Sequence, residues 1–126
     1  MATAHVLYVE DNDSNIVVVE RVCEHLKLPL RVVGNATDAI ASVLEAPPSL
    51  ILMDISLPDV DGLAATRLIR SLREPLARIP IIAITASAMV GDRERCLAAG
   101  CNDYLAKPFT VRALVDILQT YLRQES

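Results

Sequence analysis

No apolar run in this sequence approaches the roughly 18 residues of a membrane-spanning helix, and the opening MATAHVLYVE lacks the basic start of a secretory signal. Membrane insertion is therefore not expected. Basic charge is scarce as well. The net charge is −4 and the 12 lysines and arginines are scattered rather than striped, which argues against direct binding of nucleic acid. Cysteine is limited to Cys23, Cys96 and Cys101, an odd count without metal-ligand spacing. They read as small core residues in a reducing cytoplasm. Internal repeats, low-complexity tracts and linkers are absent too, so a single domain over residues 1–126 is expected. What remains is 52% hydrophobic and 22% charged, the balance of a globular chain long enough to bury a core.

Five short apolar runs are present: HVLYV (5–9), LRVV (30–33), SLILM (49–53), IPIIAIT (79–85) and DYLA (103–106). Most show no polar alternation, the pattern of parallel strands covered on both faces. Helical spacing lies between them. Over 14–27, Val18, Val22 and Leu26 share one stripe with Val19 and Cys23; over 111–122, Val111, Leu114, Val115, Leu118, Tyr121 and Leu122 form another. Asp13, Asn35 and Asp61 stand where helix caps belong, and Gly100 follows an apparent helix as its stop. Pro29, Pro47, Pro48, Pro75, Pro80 and Pro108 fall between elements. The alternation predicts five βα units in a doubly wound α/β domain with helices on both faces.

Such sheets bind ligands beyond the carboxyl ends of their strands. The first run ends in Glu10-Asp11, the third in Asp54, the fourth in Thr85 and the fifth in Lys107-Pro108; the second ends in uncharged Gly34-Asn35. Three carboxylates and one ammonium leave two negative charges uncompensated, which a divalent cation would balance. Oxygen ligands without His or Cys favour Mg²⁺, which commonly uses one or two carboxylates and completes its shell with water. A hydrated Mg²⁺ beside Lys107 and the Thr85 hydroxyl is a place to hold a phosphoryl group. Asp54 is the best candidate to accept it covalently, because it stands alone at a central strand end, before a loop, DISLPDVDG, whose Pro58 and Gly62 supply turn chemistry and would leave it reachable. The backbone carbonyl of Ser56 is a further candidate metal ligand.

VLYVEDN, LILMDISLPDVDG, IIAITASAM and DYLAKPF together resemble the receiver domain of two-component response regulators, across essentially the whole chain. The resemblance implies a flavodoxin-like (βα)5 fold with a five-stranded parallel sheet of order 2-1-3-4-5. It implies that Asp54 accepts a phosphoryl group from phosphohistidine on a histidine kinase or histidine phosphotransfer protein, in a Mg²⁺-dependent reaction. Asp11 would bind the metal directly, Glu10 through water, with Asp54 and the Ser56 carbonyl completing the protein ligands. Lys107 would pair with the phosphoryl oxygens, and the Lys107-Pro108 peptide would be cis. Thr85 and Tyr104 would form the switch, Thr85 drawn toward the phosphoryl group and Tyr104 turning inward behind it. By the same resemblance, Ser56 and Ser87 would occupy positions where the family varies its side chains to tune phosphoryl lifetime. Such a domain catalyses its own phosphorylation and dephosphorylation and is not a conventional enzyme.

Its output would reach a downstream protein through the face of helix four, strand five and helix five, because only RQES follows residue 122. A stand-alone cytoplasmic receiver is the leading expectation, a receiver from a hybrid histidine kinase or phosphorelay protein the alternative, and a phosphorylation-dependent dimer remains open to either. Other readings are weaker. Asp11-Asn12-Asp13-Ser14-Asn15 begins like a calcium loop, but Ile16 and Val22 stand where Gly and Glu are needed. Asp11-x-Asp13 also resembles Mg²⁺-dependent aspartate-nucleophile phosphatases, which would leave Asp54 without a role. Asp59 and Asp61 read as loop and cap residues, and His5 and His25 have no partner in motif spacing.

Overall fold

The computed structural model describes residues 5–55, 61–86 and 91–122. The elements alternate throughout: β1 (Val6–Val9), α1 (Asp13–His25), β2 (Leu30–Val33), α2 (Ala36–Glu45), β3 (Leu50–Asp54), α3 (Gly62–Arg70), β4 (Ile81–Thr85), α4 (Asp92–Ala99), β5 (Asp103–Ala106) and α5 (Val111–Leu122), with one 3₁₀ turn at Leu76–Arg78. The strands form one sheet of order β2-β1-β3-β4-β5, parallel at every pairing. The doubly wound fold expected from the alternation is the fold observed.

The strand sequences explain the layering. Successive side chains point to opposite faces, so Leu7, Val9, Ile51, Met53, Ile81 and Ala83 pack with Ala39, Val43, Ala65, Ile69 and Cys96 from α2, α3 and α4. Val6, Tyr8, Leu50, Leu52, Ile82 and Ile84 meet Val19, Val22, Cys23, Leu114 and Leu118 from α1 and α5. β1, β3 and β4 are buried at every residue, as unbroken apolar runs require, whereas β2 and β5 lie at the edges and are only partly covered. Fully burying each Leu or Ile contributes about 2 kcal/mol, which anchors the central strands whose ends carry the acids.

The punctuation needs one correction. Asn12, not Asp13, is the N-cap of α1: its side chain accepts from the amides of Ser14 and Asn15, and Asp13 is the first helical residue. Both residue types cap well, so residue type alone did not choose between them. Asp13 still places negative charge in the first turn, where the helix dipole favours it. Asn35 and Asp61 cap α2 and α3. Gly100 ends α4 at φ 113°, a left-handed conformation open to glycine without a Cβ penalty. The three cysteines are buried and free, so they pack rather than cross-link.

Candidate functional site

The switch point of this sheet lies where β1 and β3 run side by side and their following helices leave on opposite faces. Glu10 and Asp11 follow β1 directly, and Asp54 is the last residue of β3, a position that the apolar run placed just beyond the strand. One carboxylate oxygen from each of Glu10, Asp11 and Asp54 lies within 4.8 Å of the others. Glu10 and Asp54 are buried and Asp11 is exposed. The reachability expected for Asp54 depended on a loop outside the described residues; Asp54 itself is only 3% exposed.

Lys107 crosses to these acids from the end of β5. Its Nζ lies 3.0 Å from Glu10 Oε1 and 3.3 Å from Asp54 Oδ2. Burial works to lower the Lys107 pKa, but the hydrogen bonds and charges of Glu10 and Asp54 outweigh it and hold the ammonium above its ordinary value. The lysine is therefore a fixed positive charge at neutral pH. Its backbone amide donates to the Thr85 carbonyl at 2.7 Å, which ties the ends of β4 and β5 together. The Lys107-Pro108 peptide is cis.

Thr85 is the last residue of β4 and is buried. Tyr104 sits in β5 in register with Ala83, half-buried against the core formed with α2, α3 and α4. Glu10, Asp11, Asp54, Thr85 and Lys107 thus end four adjoining strands at one edge. Ser56 and Ser87, to which the sequence assigned a metal-binding carbonyl and lifetime tuning, lie outside the described residues.

Two features of the site escaped sequence reasoning. Glu10 accepts from the Tyr8 hydroxyl at 2.9 Å and from Asn15 Nδ2 at 3.4 Å. Tyr8 is fully buried, and burial first, then the Glu10 and Asp54 charges, push its phenol pKa far up, so it stays a neutral donor. The period-2 alternation of a strand was the signal available, since it sets Tyr8 and Glu10 on one face. Gly62 is the second feature. A Cβ there would lie 2.4 Å from the Asp54 carbonyl oxygen and 2.6 Å from Ile55 Cα, so only glycine lets α3 begin so close to the end of β3.

The donor set suits a hard divalent cation, since among the described residues three carboxylates converge against one ammonium and no His or Cys joins them. With these groups at a switch point, the fold and site define a doubly wound domain with an acidic cluster suited to a divalent cation. Comparison with known proteins agrees. The family model "Response regulator receiver domain" matches residues 6–119. The polar-differentiation response regulator DivK of Brucella abortus is 38% identical over 95% of this chain and 97% of its own length. Histidine kinase 5 of Arabidopsis thaliana is 34% identical over 93% of this chain, which spans only 15% of that kinase. The crystal structure of the receiver domain of the Pseudomonas aeruginosa sensor histidine kinase PA1611 is 45% identical, covers 97% of this chain and 99% of that one, and superposes with a TM-score of 0.87. That receiver holds a magnesium ion in its active-site cleft.

The chain belongs to the response regulator receiver family of two-component signalling. Phosphorylation on aspartate is general to that family, and its receivers interact with histidine kinases or phosphotransfer proteins. Among the described residues, no helix is long and apolar enough to cross a membrane.

Proposed function

We propose that this protein takes a phosphoryl group from a phosphohistidine onto Asp54, with Mg²⁺ as cofactor, and signals by changing its contacts with other proteins. The observation that carries this reading is the convergence of Glu10, Asp11 and Asp54 within 4.8 Å, with Lys107 Nζ bonded to both buried acids. Asp11 and Asp54 would ligate the metal directly and Glu10 through water, with the Ser56 carbonyl as the remaining protein ligand. Bound Mg²⁺ supplies positive charge to the phosphoryl oxygens.

In the transfer, an Asp54 carboxylate oxygen bonds to phosphorus while the N–P bond of the donor breaks and its electron pair returns to the imidazole. The product is an aspartyl phosphate, and water later releases inorganic phosphate from it. Lys107 exchanges part of its carboxylate pairing for a phosphoryl oxygen, which costs little because its ammonium is already held at the site. Thr85 donates its hydroxyl to the phosphoryl group, and Tyr104, two positions from Ala106 on β5, turns toward the space behind it. The face of α4, β5 and α5 then favours a second conformer, a population shift driven by the new contacts. Ser56 and Ser87 set the phosphoryl lifetime in this reading.

The histidine kinase or phosphotransfer partner is the donor, and the recipient of the signal is a protein that reads the shifted face. The setting proposed is the cytoplasm, with residues 1–126 acting as one receiver domain. The 45% identity to the receiver of a sensor kinase favours a second reading, in which the domain serves a hybrid kinase rather than standing alone. Transfer onto Asp11, as in aspartate-nucleophile phosphatases, is disfavoured, since the lysine pairs with Asp54 and Glu10.

Incubation with acetyl phosphate or phosphoramidate, with and without Mg²⁺, followed by intact mass, tests the proposal. The expected result is one added phosphoryl group that needs Mg²⁺ and is absent from Asp54→Asn. An adduct surviving in Asp54→Asn but missing from Asp11→Asn would transfer the nucleophile to Asp11.

A further inference from the structure

Glu10 is held by more than the site's chemistry demands. Its Oε1 accepts from three donors: the Tyr8 hydroxyl at 2.9 Å, Lys107 Nζ at 3.0 Å and Asn15 Nδ2 at 3.4 Å. Its Oε2 accepts from the Asn12 amide at 3.3 Å, the one bond it makes among the described residues. The two oxygens are therefore unequal. The donors come from three directions: Tyr8 from within the core beneath, Asn15 from the first turn of α1, and Lys107 from across the sheet at β5.

A phenylalanine would fill the same core space as Tyr8 without bringing a buried hydroxyl that must find an acceptor. Glutamate also has one more torsion than aspartate, so its carboxylate keeps a given direction only when something holds it. Charge-assisted bonds to one oxygen do this, and they leave the other turned to the opposite side.

We propose that Tyr8 and Asn15 are positioning residues that clamp Glu10 through Oε1 and so present Oε2 to a hydrated divalent cation. The inference rests on the reading of Glu10 as a water-mediated metal ligand. In this arrangement Tyr8 and Asn15 act through Glu10 rather than on the metal or the phosphoryl group. The ion pair with Lys107 is part of the same arrangement, since the shared oxygen keeps the ammonium within reach of Asp54.

The test is Mg²⁺ titration of metal-free protein followed by amide chemical shifts, with thermal unfolding of the metal-free form as a second readout. Tyr8→Phe is expected to weaken Mg²⁺ binding about tenfold, the usual effect of removing a group that orients a metal ligand. Asn15→Ala, which does not disturb the core, is expected to weaken it less, in keeping with its longer bond. In a Glu10→Gln background both effects should vanish, because the carboxylate through which they act is gone. Unchanged affinity in both single variants would overturn the inference, and so would an equal loss in the Glu10→Gln background, which would mark Tyr8 as packing alone. Wild-type protein that binds no Mg²⁺ would overturn the metal-site reading together with this one. Normal wild-type binding with unaffected variants would overturn this one only.

Discussion

Gly62 offers a sharp test of how packing sets Asp54, the proposed phosphoacceptor. A methyl group there would lie 2.4 Å from the Asp54 carbonyl oxygen and 2.6 Å from Ile55 Cα, and both obstacles are backbone. Ordinary contact between such atoms needs about 3.5 Å, so either the end of β3 or the start of α3 must move by about 1 Å. The amide of Gly62 also donates to the Ile55 carbonyl at 3.1 Å, which ties the two segments and limits how they separate. Overpacking of this kind costs about 1–3 kcal/mol of stability. A 1 Å misplacement of a reacting group can cost about a hundredfold in rate. Gly62→Ala is therefore expected to phosphorylate from phosphoramidate about a hundredfold more slowly, with urea unfolding shifted by about 2 kcal/mol. Gly34→Ala is the control, because its Cβ would meet nothing nearer than the Glu10 carbonyl oxygen at 4.0 Å. Phosphorylation of Gly62→Ala at the wild-type rate would refute the claim that this contact places Asp54.

Three further outcomes follow from the same structure. Asn12→Ala should lose about 1 kcal/mol by removing the cap of α1, while Asp13→Ala should lose clearly less; chemical denaturation of the pair decides, and the reverse order would reinstate Asp13 as the cap. Lys107→Met should destabilise the metal-free protein by leaving Glu10 and Asp54 buried together without their cation, and Mg²⁺ should restore part of the loss. A variant with wild-type stability in a chelator would show that the ammonium does not hold these acids. Burial pushes the Cys23 thiol from 9.0 up to about 11. A raised pKa means that its stabilising share is intact below pH 9 and fades as pH climbs toward 11. The stability advantage of wild type over Cys23→Ala, measured by urea unfolding, should narrow across that range, and a constant gap would contradict the burial.

Much of this protein was legible in one dimension because its candidate site sits at punctuation marks. A strand covered on both faces must be apolar throughout, so the residue that ends the run announces itself: Glu10-Asp11, Asp54, Thr85 and Lys107 were each found that way. The helix rule of periodicity placed α5 at Val111–Leu122 without revision. Where two adjacent residues could serve equally, as Asn12 and Asp13 could, composition did not choose between them.

The tertiary structure alone decided how those ends meet. No spacing rule indicates that Lys107 would lie closer to Glu10 than to Asp54, that a core tyrosine and the fifteenth residue would fasten on the same carboxylate oxygen, or that α3 would start against Asp54's own carbonyl. The reason is physical. Alternation and periodicity are local properties, set by the geometry of one strand or one helix, so a single chain displays them. Which carboxylate an ammonium meets depends on strand order, register and the approach of helices from distant parts of the chain, and these become definite only when the sheet has assembled and its core has closed around it.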